Sequence, residues 1–265
     1  MIMDNRFLVA RRRYDPDATR YINAVQLADG QALEPEVTMA VDAFVKGCKA
    51  DGIWDAIKAS CILCGARTIS GALVPLVGAA PTAYSFASGD YDRTGLKGDG
   101  ATKYLDTNRA GNASDSDDTH LSLYFTSAAS FANVAHAGYI TNTIAPADPS
   151  YSYSFLFKDG ANNALAYYLG GTTFYSGGGS ATGFSGVSST GGSSFTSRLA
   201  GTDKTGSFTQ SLYPANYYIF ARNNTPGAAA LSNARLAFYS IGSSLDLAAL
   251  DTRVSTLVAA IAAAI

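Results

Sequence analysis

Apolar positions follow two different periods along this chain. Between residues 84 and 242 they alternate with Ser, Thr, Gly and polar residues in short runs. On both sides of that stretch they recur every three or four residues. Strict alternation marks half-buried strands, and the longer period marks amphipathic helices. Leu121, Leu123 and Phe125 share one face of the run 120–126. Further strand-like runs cover 152–157, 164–169, 217–221 and 234–241, and Lys158-Asp159-Gly160 supplies a turn. Such runs recur about every 10–15 residues, which predicts a mainly β, antiparallel sandwich.

The first 83 residues read differently. Asp15 followed by Pro16 predicts a helix start, with Tyr21, Ile22 and Val25 on its apolar face and a stop at Asp29-Gly30. Glu34-Pro35 opens a second helix carrying Val37, Val41, Phe44, Val45 and Cys48, ending near Asp51-Gly52. A third short helix is expected to continue from Ile53, with Ile57, Cys61 and Ile62 inward and Trp54 as anchor. Residues 65–81 lack a clear period and read as an extended connector laid along a surface, so the domain boundary falls between Thr82 and Tyr84. Three parts are expected: a helical docking region 1–83, a sandwich 84–243 and a C-terminal helix 244–265.

That last helix, capped by Ser244, places Leu247, Leu250, Val254, Leu257 and Ile261 at 3-4-3-4 spacing. Such a seam packs either on the chain's own body or on copies of itself, as a homo-trimer. The apolar tail after Thr256 must be covered in either case.

Charge and composition narrow the function. Charged residues make up 15% of 265, the net charge is −2, and Gly (26) and Tyr (16) are abundant. That balance suits outer faces built from Ser, Thr and Tyr, and gives no electrostatic footprint for nucleic acid. No apolar run reaches the ~18 residues of a membrane span, and the N-terminus lacks the pattern of a secretory signal. Synthesis in a cytoplasm without a signal peptide is therefore expected. Arg11, Arg12 and Arg13, next to Tyr14, form a short basic run able to meet an acidic neighbour.

Candidate chemistry is sparse. Cys48, Cys61 and Cys64 read as buried thiols, because zinc wants four ligands and no His is near. Asp115, Asp117 and Asp118 cluster in one loop and could offer hard oxygens to Ca²⁺; Asp90, Asp92 and Asp99 form a weaker acidic group with turn chemistry as the simpler reading. His120 and His136 read as structural. The chain has two glutamates, Glu34 and Glu36, both in the helical region, so the sandwich lacks the carboxylate pair expected of a glycoside hydrolase.

Three stretches carry a resemblance. Residues 13–18 with Tyr21-Ile22-Asn23-Ala24, then 51–82, resemble the N-terminal part of proteins from tailed phages and prophages. Residues 95–105 look like the first core strand of a concanavalin-like (laminin-G-like) jelly roll, and 234–242 with the following 245–254 are similar to that family's last strand and closing helix. The resemblance implies a jelly-roll virion component: a tail-fibre or receptor-binding protein facing a host surface glycan, or a capsid decoration (cement) protein, with other virion proteins as partners. A polysaccharide-degrading jelly-roll enzyme is the reading from another class. Glycan recognition needs aromatic platforms and amide or carboxylate partners. The candidates are Tyr151, Tyr153, Tyr167, Tyr168, Tyr175, Tyr217 and Tyr218, with Asn162, Asn163, Asn223 and Asn224. The expectation drawn from all this is a bacteriophage structural protein without catalytic residues, located in the virion and not inserted in a membrane.

Overall fold

The computed structural model describes residues 13–113, 118–130, 134–139, 182–191, 193–207, 213–225 and 227–265, and the backbone alone of three strands between 153 and 178. The chain opens with α1 (Pro16–Asp29) and α2 (Pro35–Ala50). Then follow β1 (Ile57–Ile62), α3 (Ile69–Ala72), β2 (Pro75–Val77) and β3 (Thr82–Tyr84). Next come β4 (Tyr91–Asp92), β5 (Gly95–Lys97), β6 (Tyr104–Ala110), β7 (Thr119–Ser127) and β8 (Val134–Tyr139). The backbone strands are β9 (Tyr153–Asp159), β10 (Ala164–Leu169) and β11 (Thr172–Gly178). After them run β12 (Gly183–Thr190), β13 (Ser194–Leu199), β14 (Thr202–Ser207) and β15 (Asn216–Ile219). The chain closes with β16 (Arg222–Asn223), β17 (Ala228–Ala229), β18 (Arg235–Gly242) and α4 (Leu247–Ala264).

These strands form a two-sheet jelly-roll sandwich. One sheet, here sheet A, runs β14-β13-β12-β7-β18-β1-β2, with β5 and β4 attached at β18. Sheet B runs β11-β10-β9-β8-β15-β6-β3, with β16 and β17 at β8. Pairing is antiparallel except for the short β16–β8 contact. Leu121, Leu123 and Phe125 of β7 point between the sheets, as their alternation predicts, and meet Leu105, Tyr217 and Ile219 of sheet B.

A second apolar core lies on the other side of sheet A. Ile62, Phe184 and Phe238 project from its outer face into Tyr21, Ile22 and Val25 of α1, Val41, Phe44 and Val45 of α2, and the stripe of α4. Phe44 meets Phe238 edge to face, with centroids 5.8 Å apart. The helices come close because the strands under them are lined with small side chains. Ser60, Ser240, Ser122 and Gly186 lie in one cross-strand row, and Leu247 fills the slot above Gly186. The molecule is thus three layers: helices, sheet A, sheet B.

Helix ends follow the sequence signals. The Asp15 carboxylate caps α1 through the Asp17 N–H, Gly30 closes it at φ 67°, and α2 begins at Pro35. Four expectations are corrected. The third helix is absent: a 3-10 turn at Trp54–Ala56 leads into β1. β1 lies between β18 and β2 and is covered by the helices on one side and sheet B on the other. A strand buried on both faces shows no alternation, so its apolar run reads like a helix. The connector holds α3 and β2, with Leu76 buried. The expected boundary between Thr82 and Tyr84 falls inside β3, which pairs with β6. The closing helix is capped by Asp246 rather than Ser244; its carboxylate accepts from the N–H groups of Ala248 and Ala249.

The seam Leu247, Leu250, Val254, Leu257 and Ile261 is buried against the chain's own sheet A and α2. Of the two packings its spacing allows, the seam thus takes the one on the chain's own body. By length and composition α4 is apolar enough to cross a membrane, but here that stripe covers sheet A.

Candidate functional site

The helices cover the outer face of sheet A; on sheet B, the outer sides of β3, β6 and β15 form the strand surface that is open among the described residues. Along β6, Leu105 and Thr107 are buried, while Tyr104, Asp106 and Asn108 point outward. In β15, Tyr217 and Ile219 point inward and Asn216 and Tyr218 outward. The register sets Tyr84 of β3 opposite Tyr104, and both Thr82 and Tyr218 opposite Asp106.

Three tyrosines stack across these strands. Tyr84 and Tyr104 lie 4.4 Å apart at 7°, and Tyr104 and Tyr218 lie 4.7 Å apart at 30°. The inner ring faces cover one another. Tyr84 stands on the terminal strand of the sheet and is 41% exposed, so its outer face is open. Beside the rings runs a polar row. Asp106 accepts from the Asn108 N–H (2.8 Å) and from Asn216 Nδ2 (3.2 Å). Asn108 Nδ2 donates to the Ala80 carbonyl and Thr82 Oγ1. Burial pushes the Tyr218 phenol up to about 12, helped by the Asp106 carboxylate, so the hydroxyl stays protonated and able to donate at neutral pH. An aromatic rail beside an amide and carboxylate rail can meet the C–H face and the hydroxyl edge of a sugar together. Three strands span about 10 Å, room for a short oligosaccharide.

The sequence-based candidates divide around this face. Tyr218 belongs to the stack. Tyr217 does not: it is 1% exposed and packs edge to face on Tyr139 in the inter-sheet core. Asn223 is buried, donating to the Asn216 carbonyl, and the Asn224 N–H closes a turn onto Gly227. Tyr151, Asn162 and Asn163, and the side chains of Tyr153, Tyr167, Tyr168 and Tyr175, lie outside the described residues. Tyr84, Tyr104, Asp106 and Asn216 were not singled out from sequence. The readable signal was Tyr104, Asp106 and Asn108 alternating with Leu105 and Thr107.

Other candidates hold the fold together. His120 sits in the second core, with Nε2 2.7 Å from Ser240 Oγ and Nδ1 2.6 Å from the Ser243 carbonyl, and burial depresses its pKa to about 4. His136 Nδ1 lies 2.7 Å from Ser232 Oγ. The three cysteines are buried free thiols, and loss of solvation raises each to about 12. Glu34 is clamped by Arg67 and Arg93, joining α2 to the strand layer. Asp115 and Asp117 lie outside the described residues, and the Asp118 carboxylate accepts from the Gly191 N–H. Partial burial pushes the Asp99 carboxyl up, but hydrogen bonds from Thr102, Ala101 and Lys103 outweigh it and hold it well below the usual range. Asp90 and Asp92 pair with Lys103 and Arg235. Among the described residues no three His, Cys, Asp or Glu side chains converge as metal ligands. Arg11 and Arg12 lie outside the described residues; Arg13 is exposed, and Tyr14 Oη is 3.1 Å from Thr38 Oγ1.

A groove of about 410 Å³ lies between β13, β14 and the start of α4. Its two charged lining residues, Asp203 and Asp246, are both engaged within the fold. Arg198 bridges Asp203 and Asp251, and Asp246 caps the helix.

No family model and no curated protein matches this chain. Solved structures resemble it at low identity. One is the NanB sialidase from Streptococcus pneumoniae (11% identity, TM-score 0.38, 51% of this chain and 23% of that one). Another is Domain 4 of AbnA, an extracellular arabinanase from Geobacillus stearothermophilus, in complex with arabinotriose (12%, TM-score 0.41, 67% and 82%). A third is the botulinum neurotoxin serotype D binding domain (12%, TM-score 0.44, 76% and 51%). The chain spans about a quarter of the length of the sialidase it matches. Two of the three are named for enzymes, which gives no support to the expectation that this chain is non-catalytic; likeness at this level carries no inference about activity in either direction.

Proposed function

We propose that this chain is a non-enzymatic saccharide-binding sandwich, carried on a bacteriophage particle as a tail-fibre or receptor-binding component, with the outer face of sheet B turned toward a host surface glycan. The observation that supports it most is the Tyr84–Tyr104–Tyr218 stack beside Asp106 and Asn216. A stack of half-exposed aromatic rings ending in the open face of Tyr84, beside polar side chains, is what sugar C–H groups stack on. The helical layer lies on the opposite side of the molecule, which suits attachment to a larger assembly through α1 and α2. The virion setting rests on the resemblance of residues 13–24 and 51–82 to tailed-phage proteins.

The non-catalytic reading rests on the side chains. Glu34 is held by two arginines, and both histidines are buried in structural hydrogen bonds. The decisive measurement is a glycan array read with the intact chain and with the Tyr84→Ala/Tyr104→Ala double variant. Binding by the first and at least tenfold weaker binding by the second is expected. A blank array, or equal signals, would overturn the saccharide reading. Release of reducing ends from host polysaccharide would overturn the non-enzymatic one. Immunogold imaging that labels the head instead of the tail would replace the receptor-binding role with capsid decoration.

A further inference from the structure

The charge of the open face has a direction. Asp106 stands at the centre of the polar rail, opposite Tyr218 and two residues from Tyr104. Its two hydrogen bonds come from neutral donors, the Asn108 N–H and the Asn216 amide. Among the described residues it forms no ion pair, whereas Asp90, Asp92, Asp203 and Asp251 are each paired with Lys or Arg. Two basic residues lie three positions from Asp106 in sequence, and both are directed elsewhere: Lys103 is turned to Asp90, 2.7 Å away, and the half-buried Arg109 acts on Tyr217, which points inward, and on His120. A carboxylate has about four acceptor sites. Two of these are used here, so the others remain for a ligand's hydroxyl or ammonium hydrogens. An anionic ligand group in the same place would meet like charge, and among the described residues no cation is paired with Asp106 to offset it.

We infer that this face selects neutral or amino-bearing saccharides over acidic ones, and that Asp106 is the residue that discriminates. The inference rests on the saccharide-binding reading above and specifies its ligand class: sugars with free hydroxyl or ammonium groups, without carboxylate, sulfate or phosphate on the contacting units. The tyrosines supply the contact common to all sugars, and the carboxylate sets the sign of charge that is accepted.

The test measures titration of the full chain by calorimetry with four trisaccharides: maltotriose, chitotriose, its fully deacetylated glucosamine form, and trigalacturonate. At least one of the first three is expected to bind at least tenfold more tightly than trigalacturonate. Asp106→Asn should bring that ratio to within about threefold. Asparagine keeps an acceptor for the Asn108 N–H, and a thermal melt of the variant checks the fold. The wild-type protein gives a second readout that needs no substitution. The discrimination should shrink between 20 mM and 500 mM salt, because screening weakens like-charge repulsion. Trigalacturonate binding the wild type as well as the best neutral or amino sugar would overturn the inference and leave the saccharide reading standing. An unchanged ratio in Asp106→Asn would do the same. Absence of binding by all four, or binding untouched by Tyr84→Ala/Tyr104→Ala, would overturn both.

Discussion

Sheets A and B are built from similar alternating strands, yet their outer faces meet different fates. Sheet A sends Ile62, Phe184 and Phe238 outward and needs three helices to cover them. Sheet B sends out Tyr104, Asp106, Asn108, Asn216 and Tyr218 from β6 and β15, where no described element covers them. The same fold therefore has one face buried under helices and one that, in its described strands, meets solvent. A side chain at full contact in a closed core contributes to folding. A ring at the edge of an open sheet contributes chiefly to whatever it touches from solvent.

The sharpest way to break this contrast is to truncate the closed side. Phe238→Ala removes a fully buried ring that contacts Phe44 and should cost about 3–5 kcal/mol in urea unfolding. The open side should respond in the opposite sense. Tyr84→Ala should change unfolding by about 1 kcal/mol or less, while saccharide binding falls at least tenfold. Comparable losses of stability from the two substitutions would erase the distinction.

Acid provides a second, slightly smaller test of the closed side. The folded state holds His120 neutral, with its pKa near 4, whereas an unfolded histidine titrates near 6.5. The unfolded chain thus binds a proton that the folded chain refuses between those values. Stability from this group is complete above pH 6.5 and is lost as pH falls toward 4, by about 3 kcal/mol. Denaturation at pH 7 and pH 4.5 should show that loss, and His120→Gln should flatten it. The smallest effect expected is on the thiols. Cys48, Cys61 and Cys64 should resist iodoacetamide in the native protein and react once it is unfolded, since their burial holds them protonated.

Much of the molecule was legible from local pattern. α1 and α2 announce themselves by Asp15-Pro16, Gly30 and Pro35, and β7 by the alternation of Leu121, Leu123 and Phe125. Tyr218 could be nominated from its strand, but Tyr217 beside it could not be excluded, because adjacent positions in a strand differ only in which side meets the core. β1 was not legible at all. It is covered on one side by sheet B and on the other by helices, of which α4 follows it by nearly two hundred residues. Gly242 marks that join, since a Cβ there would meet the Ala56 carbonyl at 1.9 Å. The α4 seam was legible as apolar, yet its partner was not.

The amino-acid sequence determined the periods, the caps and the shortage of charge, because these depend on neighbours within one turn or one strand. Which face of which sheet is covered, and hence that Tyr84, Tyr104 and Tyr218 come together in solvent, was decided only by tertiary structure. Cross-strand register joins residues more than a hundred positions apart, and no local preference encodes the meeting.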